Sequence, residues 1–139
     1  MRKKYEKSEF ALVRLRKGDD LPDTLLKELR EMEVTSAAIL FGVGMLEESV
    51  IGYWDGERGE YLKETIKEPA ELVHLSGTLA EGESIHLHVA LARRDHKLSG
   101  GHLFSAKVAV VAEIGVVVLP KGTLKREMDE DVGLNLLVL

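Results

Sequence analysis

The 139-residue chain has no cysteine, no glutamine, one asparagine (Asn135) and three prolines. Without cysteine, disulfides and thiolate metal sites are excluded, and a reducing compartment, the cytoplasm, is the expected location. No apolar run approaches the ~20 residues of a membrane helix, so no membrane association is expected. The N-terminal Met1-Arg2-Lys3-Lys4-Tyr5-Glu6-Lys7 leads into no apolar stretch and does not read as a signal peptide. Few amides beside many Glu and Lys is the pattern of hyperthermophile proteins and points to a thermophilic source. A basic excess is also missing: 24 acidic against 19 basic residues give a formal net charge of -5. Phosphate neutralisation supplies most non-specific affinity for nucleic acid, so this balance argues against binding DNA through the whole surface. There is no Walker loop, dinucleotide fingerprint or Ser-His-Asp signature, and no nucleotide cofactor is expected.

What is present suits one globular domain: 45% hydrophobic and 31% charged residues. Residues 1–7 read as a flexible charged tail and residues 8–139 as a single domain. Residues 9–16 alternate as a strand. A helix follows the turn at Lys17-Gly18-Asp19-Asp20, with Asp20 as its cap, Pro22 in its first turn, and Leu21, Leu25, Leu29 and Met32 as its apolar stripe. Everything after Glu33 reads as strands. Residues 35–43 form one, which Gly42 and Gly44 break or bend. Residues 46–54 and 60–66 flank a hairpin turn at Asp55-Gly56-Glu57-Arg58-Gly59. Further strands are expected at 71–79, 84–92, 98–104, 106–119, 124–128 and 134–139. The fold class is therefore α+β, a curled, mostly antiparallel sheet with one main α-helix packed on it. Residues 108–119 are apolar on both faces except at Glu113. One helix cannot cover so much sheet, so a neighbouring chain is expected to cover part of it.

His86 and His88 are two apart on a strand and share a face, opposite the core residues Ile85, Leu87 and Val89. If the turn around Asp95 is odd in length, pairing sets Ala92 against Leu98, Ala90 against Gly100 and His88 against His102. Directly opposed residues have Cβ atoms ~5 Å apart, so three imidazoles can converge on a Zn²⁺-like ion at ~2.0–2.1 Å. The alternative is a histidine cluster without metal. His74 and His96 are expected to stay outside the site. Gly100-Gly101 reads either as a close backbone approach to a ligand or metal, or as a bulge or tight crossing of chains. Glu113 is a candidate fourth ligand, a general acid/base, or half of an ion pair with Arg14 or Lys107; the ion pair is favoured. Arg2, Lys3, Lys4 and Lys7 with Arg93 and Arg94 offer a phosphate patch only if they are more than a solvated surface.

Five stretches in order resemble the PPC (plants and prokaryotes conserved) domain. They are Leu15-Arg16-Lys17-Gly18-Asp19-Asp20-Leu21, Phe41-Gly42-Val43-Gly44, Glu71-Leu72-Val73-His74-Leu75-Ser76-Gly77-Thr78, His86-Leu87-His88 and Gly100-Gly101-His102-Leu103. The resemblance implies a compact fold that assembles as a homotrimer. Plant members carry an Arg-Gly-Arg-Pro AT-hook that enters the DNA minor groove, and this chain has none. The plant partner-binding hexapeptide Gly-Arg-Phe-Glu-Ile-Leu falls on Glu68-Pro69-Ala70-Glu71-Leu72-Val73, without its first half. The match is better to stand-alone prokaryotic members. The fold class also includes acetolactate decarboxylase, which holds a metal with a His-x-His pair and a further histidine. The expectation is a trimeric binding or regulatory module with weak or indirect DNA association and no assigned protein partner. The alternative is a metal-dependent enzyme using His86, His88 and His102, with its catalytic residues unassigned.

Overall fold

A computed structural model of the chain describes residues 3–139; Met1 and Arg2, part of the basic tail, lie outside the described residues. In chain order the elements are β1 (Glu9–Arg16), β2 (Asp20–Leu21), α1 (Asp23–Glu31), β3 (Ala37–Asp55), β4 (Glu60–Ile66), β5 (Ala70–Ala80), β6 (Ser84–Ala92), β7 (Leu98–Val118), β8 (Lys125–Asp129) and β9 (Leu134–Val138). The fold is α+β. A seven-stranded antiparallel sheet runs β1-β7-β6-β5-β3-β4, with β2 also on β7, and curls so that β3 pairs with β7 as well. β8 and β9 form a separate hairpin.

The helix is set by its leucines. Leu25 and Leu29 are fully enclosed and Leu21 nearly so, each contributing about 1.5–3 kcal/mol through burial. Two details of the helix differ from expectation. Asp20 is not the cap: it pairs with Lys107 in β2, its N–H donates to Thr24 Oγ1, and Pro22 occupies the capping position without a side-chain bond. Met32, at the helix end, is solvent-exposed rather than part of the stripe.

The two long strands each join what reads as two. Gly42 and Gly44 bend β3 without ending it, because they let it cross other chain segments closely. A Cβ at Gly42 would lie 2.8 Å from Leu75 Cβ, and one at Gly44 would strike the Val111 carbonyl. A bulge at Glu48 (φ 50°) bends β3 again. β7 continues through Ser105, which pairs with Val50. At its far end β7 lies between β1 and β3, and Glu113 is opposite Arg14 and Val43.

The β8–β9 hairpin is tied to the sheet by polar contacts. Ser36 Oγ is buried and accepts from the N–H groups of Thr123 and Leu124, both at 3.1 Å. Arg126 donates from Nη2 to Thr78 Oγ1 at 2.7 Å. No helix among the described residues is long and apolar enough to cross a membrane.

Candidate metal centre

β6 and β7 pair with His88 opposite His102, Ala90 opposite Gly100 and Ala92 opposite Leu98, the register expected of an odd-length turn. That turn is Arg93 to Lys97, closed by an Arg93 N–H to Lys97 carbonyl bond of 2.9 Å. His86, His88 and His102 come together, each with one ring nitrogen within 4.8 Å of the others. His86 Nε2 and His88 Nε2 are 3.0 Å apart. Tetrahedral zinc with bonds of ~2.0–2.1 Å needs nitrogens about 3.3–3.4 Å from one another. The His86–His88 pair is already close to that spacing, and the His102 nitrogen lies within 4.8 Å of both. His74 is on β5 opposite Ala90, His96 is in the turn, and neither joins the group.

His102 is held by a wall that sequence patterning does not reveal. Its ring lies 4.6 Å from that of Phe104 and 5.0 Å from that of Tyr61, centroid to centroid. Those rings fit because the residue beside His102 on β3 is Gly52, where a Cβ would lie 2.6 Å from Phe104 and 3.1 Å from Tyr61. Lys63 Nζ sits 3.9 Å over the Phe104 ring. Gly52 alternates like any strand residue, and only the register of β3 on both β4 and β7 exposes its role.

The electrostatics favour neutral imidazole. His86 is lowered from 6.5 to about 4, first by burial, then by the charges of His102, His88 and Arg126. His102 is lowered by burial, then by His88, Lys63 and Arg126. A metal ligand must be unprotonated, and these two rings meet that condition at neutral pH. His102 Nδ1 is buried without a hydrogen-bond partner, an unusual state for a buried polar atom. The cluster is thus able to coordinate a metal ion.

The other candidates lie apart from this cluster. Gly100 and Gly101 serve backbone crossings: a Cβ would lie 2.5 Å from the Val89 carbonyl oxygen at Gly100 and 2.5 Å from that of Gly52 at Gly101. Glu113 is exposed and eleven residues beyond His102 along β7, about 36 Å at strand rise, so it is not near the histidines. The ion pair expected for it is absent among the described residues; Lys107 pairs instead with Glu48 at 3.8 Å. Glu113 projects into solvent, where no partner is required. Arg93 is engaged by Glu64 and Glu68, which takes it out of any phosphate patch. A larger open groove of about 650 Å³ near Glu9, Glu33 and Lys121 gathers no group of three metal-ligating side chains among the described residues. The cavity lined by His86 and His102 is about 270 Å³.

The model of the Plants and Prokaryotes Conserved domain matches residues 2–120. The chain belongs to this family. A metal-containing protein from Archaeoglobus fulgidus is 35% identical, with a TM-score of 0.87 over 98% of this chain and 97% of that one. A plant- and prokaryote-conserved protein from Pyrococcus horikoshii is 30% identical, with a TM-score of 0.84 over 92% and 90%. A protein from Ralstonia eutropha, described as a candidate DNA-binding protein, is 28% identical, with a TM-score of 0.80 over 92% and 90%. Two curated relatives, bifunctional GlmU proteins of Synechococcus strains, are 29% identical over 122 residues and 32% over 91. The chain spans only 18% and 14% of their lengths. The β8–β9 hairpin lies beyond the family match.

Proposed function

We propose that this chain is a metal-binding PPC-family protein that holds one Zn²⁺ on His86, His88 and His102. The observation that carries this reading is the convergence of three imidazoles, two of which, His86 and His102, line a small cavity and are held neutral. Imidazole is the good zinc ligand here because the chain has no cysteine. Three protein ligands leave a position open, the arrangement of catalytic rather than structural zinc. Zinc bound there supplies Lewis acidity toward an oxygen-bearing ligand. The protein's own part is to orient His102 between Phe104 and Tyr61 and to keep His86 unprotonated. The metal-containing A. fulgidus relative supports this reading.

The functional unit is proposed as a homotrimer of residues 8–139. One face of the sheet presents Phe10, Leu12 and Val43 to solvent, with Arg14 and Glu113 on the same face. Apolar side chains grouped in this way mark an interaction surface. The number three comes from the family resemblance.

A second reading, DNA association, rests on relatives described as candidate DNA-binding proteins. The -5 net charge and the engaged Arg93 make any such binding weak and steeply salt-dependent. Calorimetric zinc titration tests the metal reading. Wild type and His96→Ala should bind one zinc per chain, and His88→Ala should lose roughly 100-fold or more in affinity. Equal affinities of wild type and His88→Ala would refute it.

A further inference from the structure

The wall of the cavity opposite the histidine strands is built by the C-terminal hairpin. Arg126 of β8 and Leu134, Asn135 and Leu136 of β9 line it, with Ile85 and Tyr61 completing the sides. Arg126 is partly buried and fixed at two points. Its Nη2 donates to Thr78 Oγ1 at 2.7 Å and its Nη1 to the Asn135 carbonyl at 3.3 Å. Thr78 is the direct cross-strand neighbour of His86. A guanidinium is therefore anchored one residue from the cluster. Arg126 makes no ion pair among the described residues, and no Asp or Glu lines the cavity.

The charge balance of the cavity follows from its lining. Imidazoles that ligate a metal bring no charge, and Arg126 brings one positive charge. A divalent ion adds two more, with nothing acidic in the walls. Positive charge gathered in an open cleft with no acidic lining attracts an anion, so the balancing charge is assigned to the ligand. We infer that the cavity takes a small carboxylic acid, with Arg126 anchoring the carboxylate beside the histidine-bound metal and Ile85, Leu134 and Leu136 holding an apolar substituent. This inference rests on the three-histidine metal reading. A guanidinium fork suits a carboxylate. A phosphate dianion is disfavoured because its usual cradle of several backbone N–H groups or a helix N-terminus is not among the lining elements. The volume of about 270 Å³ falls below the ~300–1,000 Å³ of sites for drug-sized ligands, which selects a small acid.

The test uses the full chain loaded with Co²⁺, whose visible absorption reports changes in the ion's ligands. Isobutyrate and inorganic phosphate are the probes. Wild type should show a saturable spectral change with isobutyrate. Arg126→Met should weaken isobutyrate by ~10-fold or more, the value of a charge-assisted hydrogen bond. Its Co²⁺ affinity should stay equal or rise, because a repelling charge has gone. Arg126→Lys, which keeps the charge and loses the fork, should fall between, and it decides the matter if Arg126→Met does not fold. Unchanged isobutyrate affinity in these variants overturns the inference while leaving the metal reading intact. A parallel loss of Co²⁺ and isobutyrate also overturns it, since Arg126 would then act only by docking the hairpin. Binding of phosphate but not isobutyrate overturns the carboxylate assignment. Failure of wild type to bind Co²⁺ or Zn²⁺ removes the inference and the metal reading together.

Discussion

At its Leu98 end β7 runs between β6 and β3, and its His102 and Phe104 face two imidazoles, Tyr61 and Lys63. At its Val118 end the same strand runs between β1 and β3, under a face that presents Phe10, Leu12 and Val43. One end gathers nitrogen donors and positive charge around a cavity; the other spreads apolar surface, and the larger open groove beside Glu9 and Val118 there gathers no group of three metal-ligating side chains among the described residues. A single strand of 21 residues can serve both because its ends lie about 70 Å apart along the chain at ~3.3 Å per residue. Chemistry and assembly can then be changed separately.

The largest effect is expected at the apolar end. Leu12→Asp places a charge on a face proposed to be buried between copies, and burying an unpaired charge costs several kcal/mol. Assembly should weaken by about three orders of magnitude. Light scattering during size exclusion should show monomer where wild type shows trimer. Leu12 is 69% exposed within one chain, so the fold itself should survive and zinc affinity should stay unchanged. A wild type that is a stable monomer at micromolar concentration, or a Leu12→Asp variant that remains a trimer, would remove this face from assembly.

Next in size is a change confined to the histidine end. Gly52→Val builds side-chain atoms where Phe104 and Tyr61 sit, with the first of them 2.6 Å from Phe104. Overpacking of this kind costs about 1–3 kcal/mol. Because the displaced rings orient His102, zinc affinity should also fall, by roughly 10-fold. Gly115→Ala, at the other end, collides with the Phe41 ring instead and should lower stability without changing zinc affinity. Equal effects of the two variants on zinc would mean that the ends are coupled.

These contrasts also mark how far patterning carries. Alternation places His86 and His88 on one face, and the five-residue turn Arg93 to Lys97 fixes His102 opposite His88, so the donor set is legible from local spacing alone. The helix is legible because Leu21, Leu25 and Leu29 recur at helical spacing. The wall that supports the site is not legible. Tyr61, Lys63 and Gly52 come from a different hairpin, and Arg126 from one that pairs with no strand of the main sheet. Such neighbours depend on how a sheet curls, which has no sequence period. The breaks read at Gly42, Gly44 and Ser105 have a related cause. Glycine weakens a strand on its own, yet here it permits the close crossing that keeps β3 and β7 long. Glu113 stands out in sequence because its flanking residues are apolar, but its register puts it on the outer face opposite Arg14, exposed and without an ion pair among the described residues.

The pH dependence of stability is expected to be intermediate in size and to belong to the histidine end. His86 titrates near 6.5 when unfolded and about 4 when folded. Between those values the unfolded chain binds a proton that the folded chain refuses. Stability therefore rises with pH across that window and is lost as pH falls through it. Metal-free wild type should lose about 2 kcal/mol relative to His86→Ala between pH 7 and pH 4. Urea unfolding of both proteins at several pH values isolates the difference from carboxylates common to both. A difference that stays flat between pH 6.5 and 4 would mean that His86 is not held neutral.

The smallest effect is expected from Glu113→Gln. Its carboxylate projects into solvent on the outer face, opposite Arg14, which is exposed too, and exposed pairs contribute at most about 0–1 kcal/mol. Glu113 is eleven residues from His102 along β7, roughly four Debye lengths at physiological salt if the strand is extended. Zinc affinity should therefore change by less than about 2-fold and single-chain stability by no more than ~0.5 kcal/mol. Assembly is the sensitive readout. If Phe10, Leu12 and Val43 are covered by a second copy, Glu113, paired between Arg14 and Val43, lies within that contact beside Arg14, and removing its charge should alter the salt dependence of the trimer more than its existence. Light scattering across a salt series compares wild type with Glu113→Gln. A 10-fold loss of zinc affinity in this variant would show that the two ends of β7 act on one site after all, through a neighbouring chain that brings its Glu113 to the histidines.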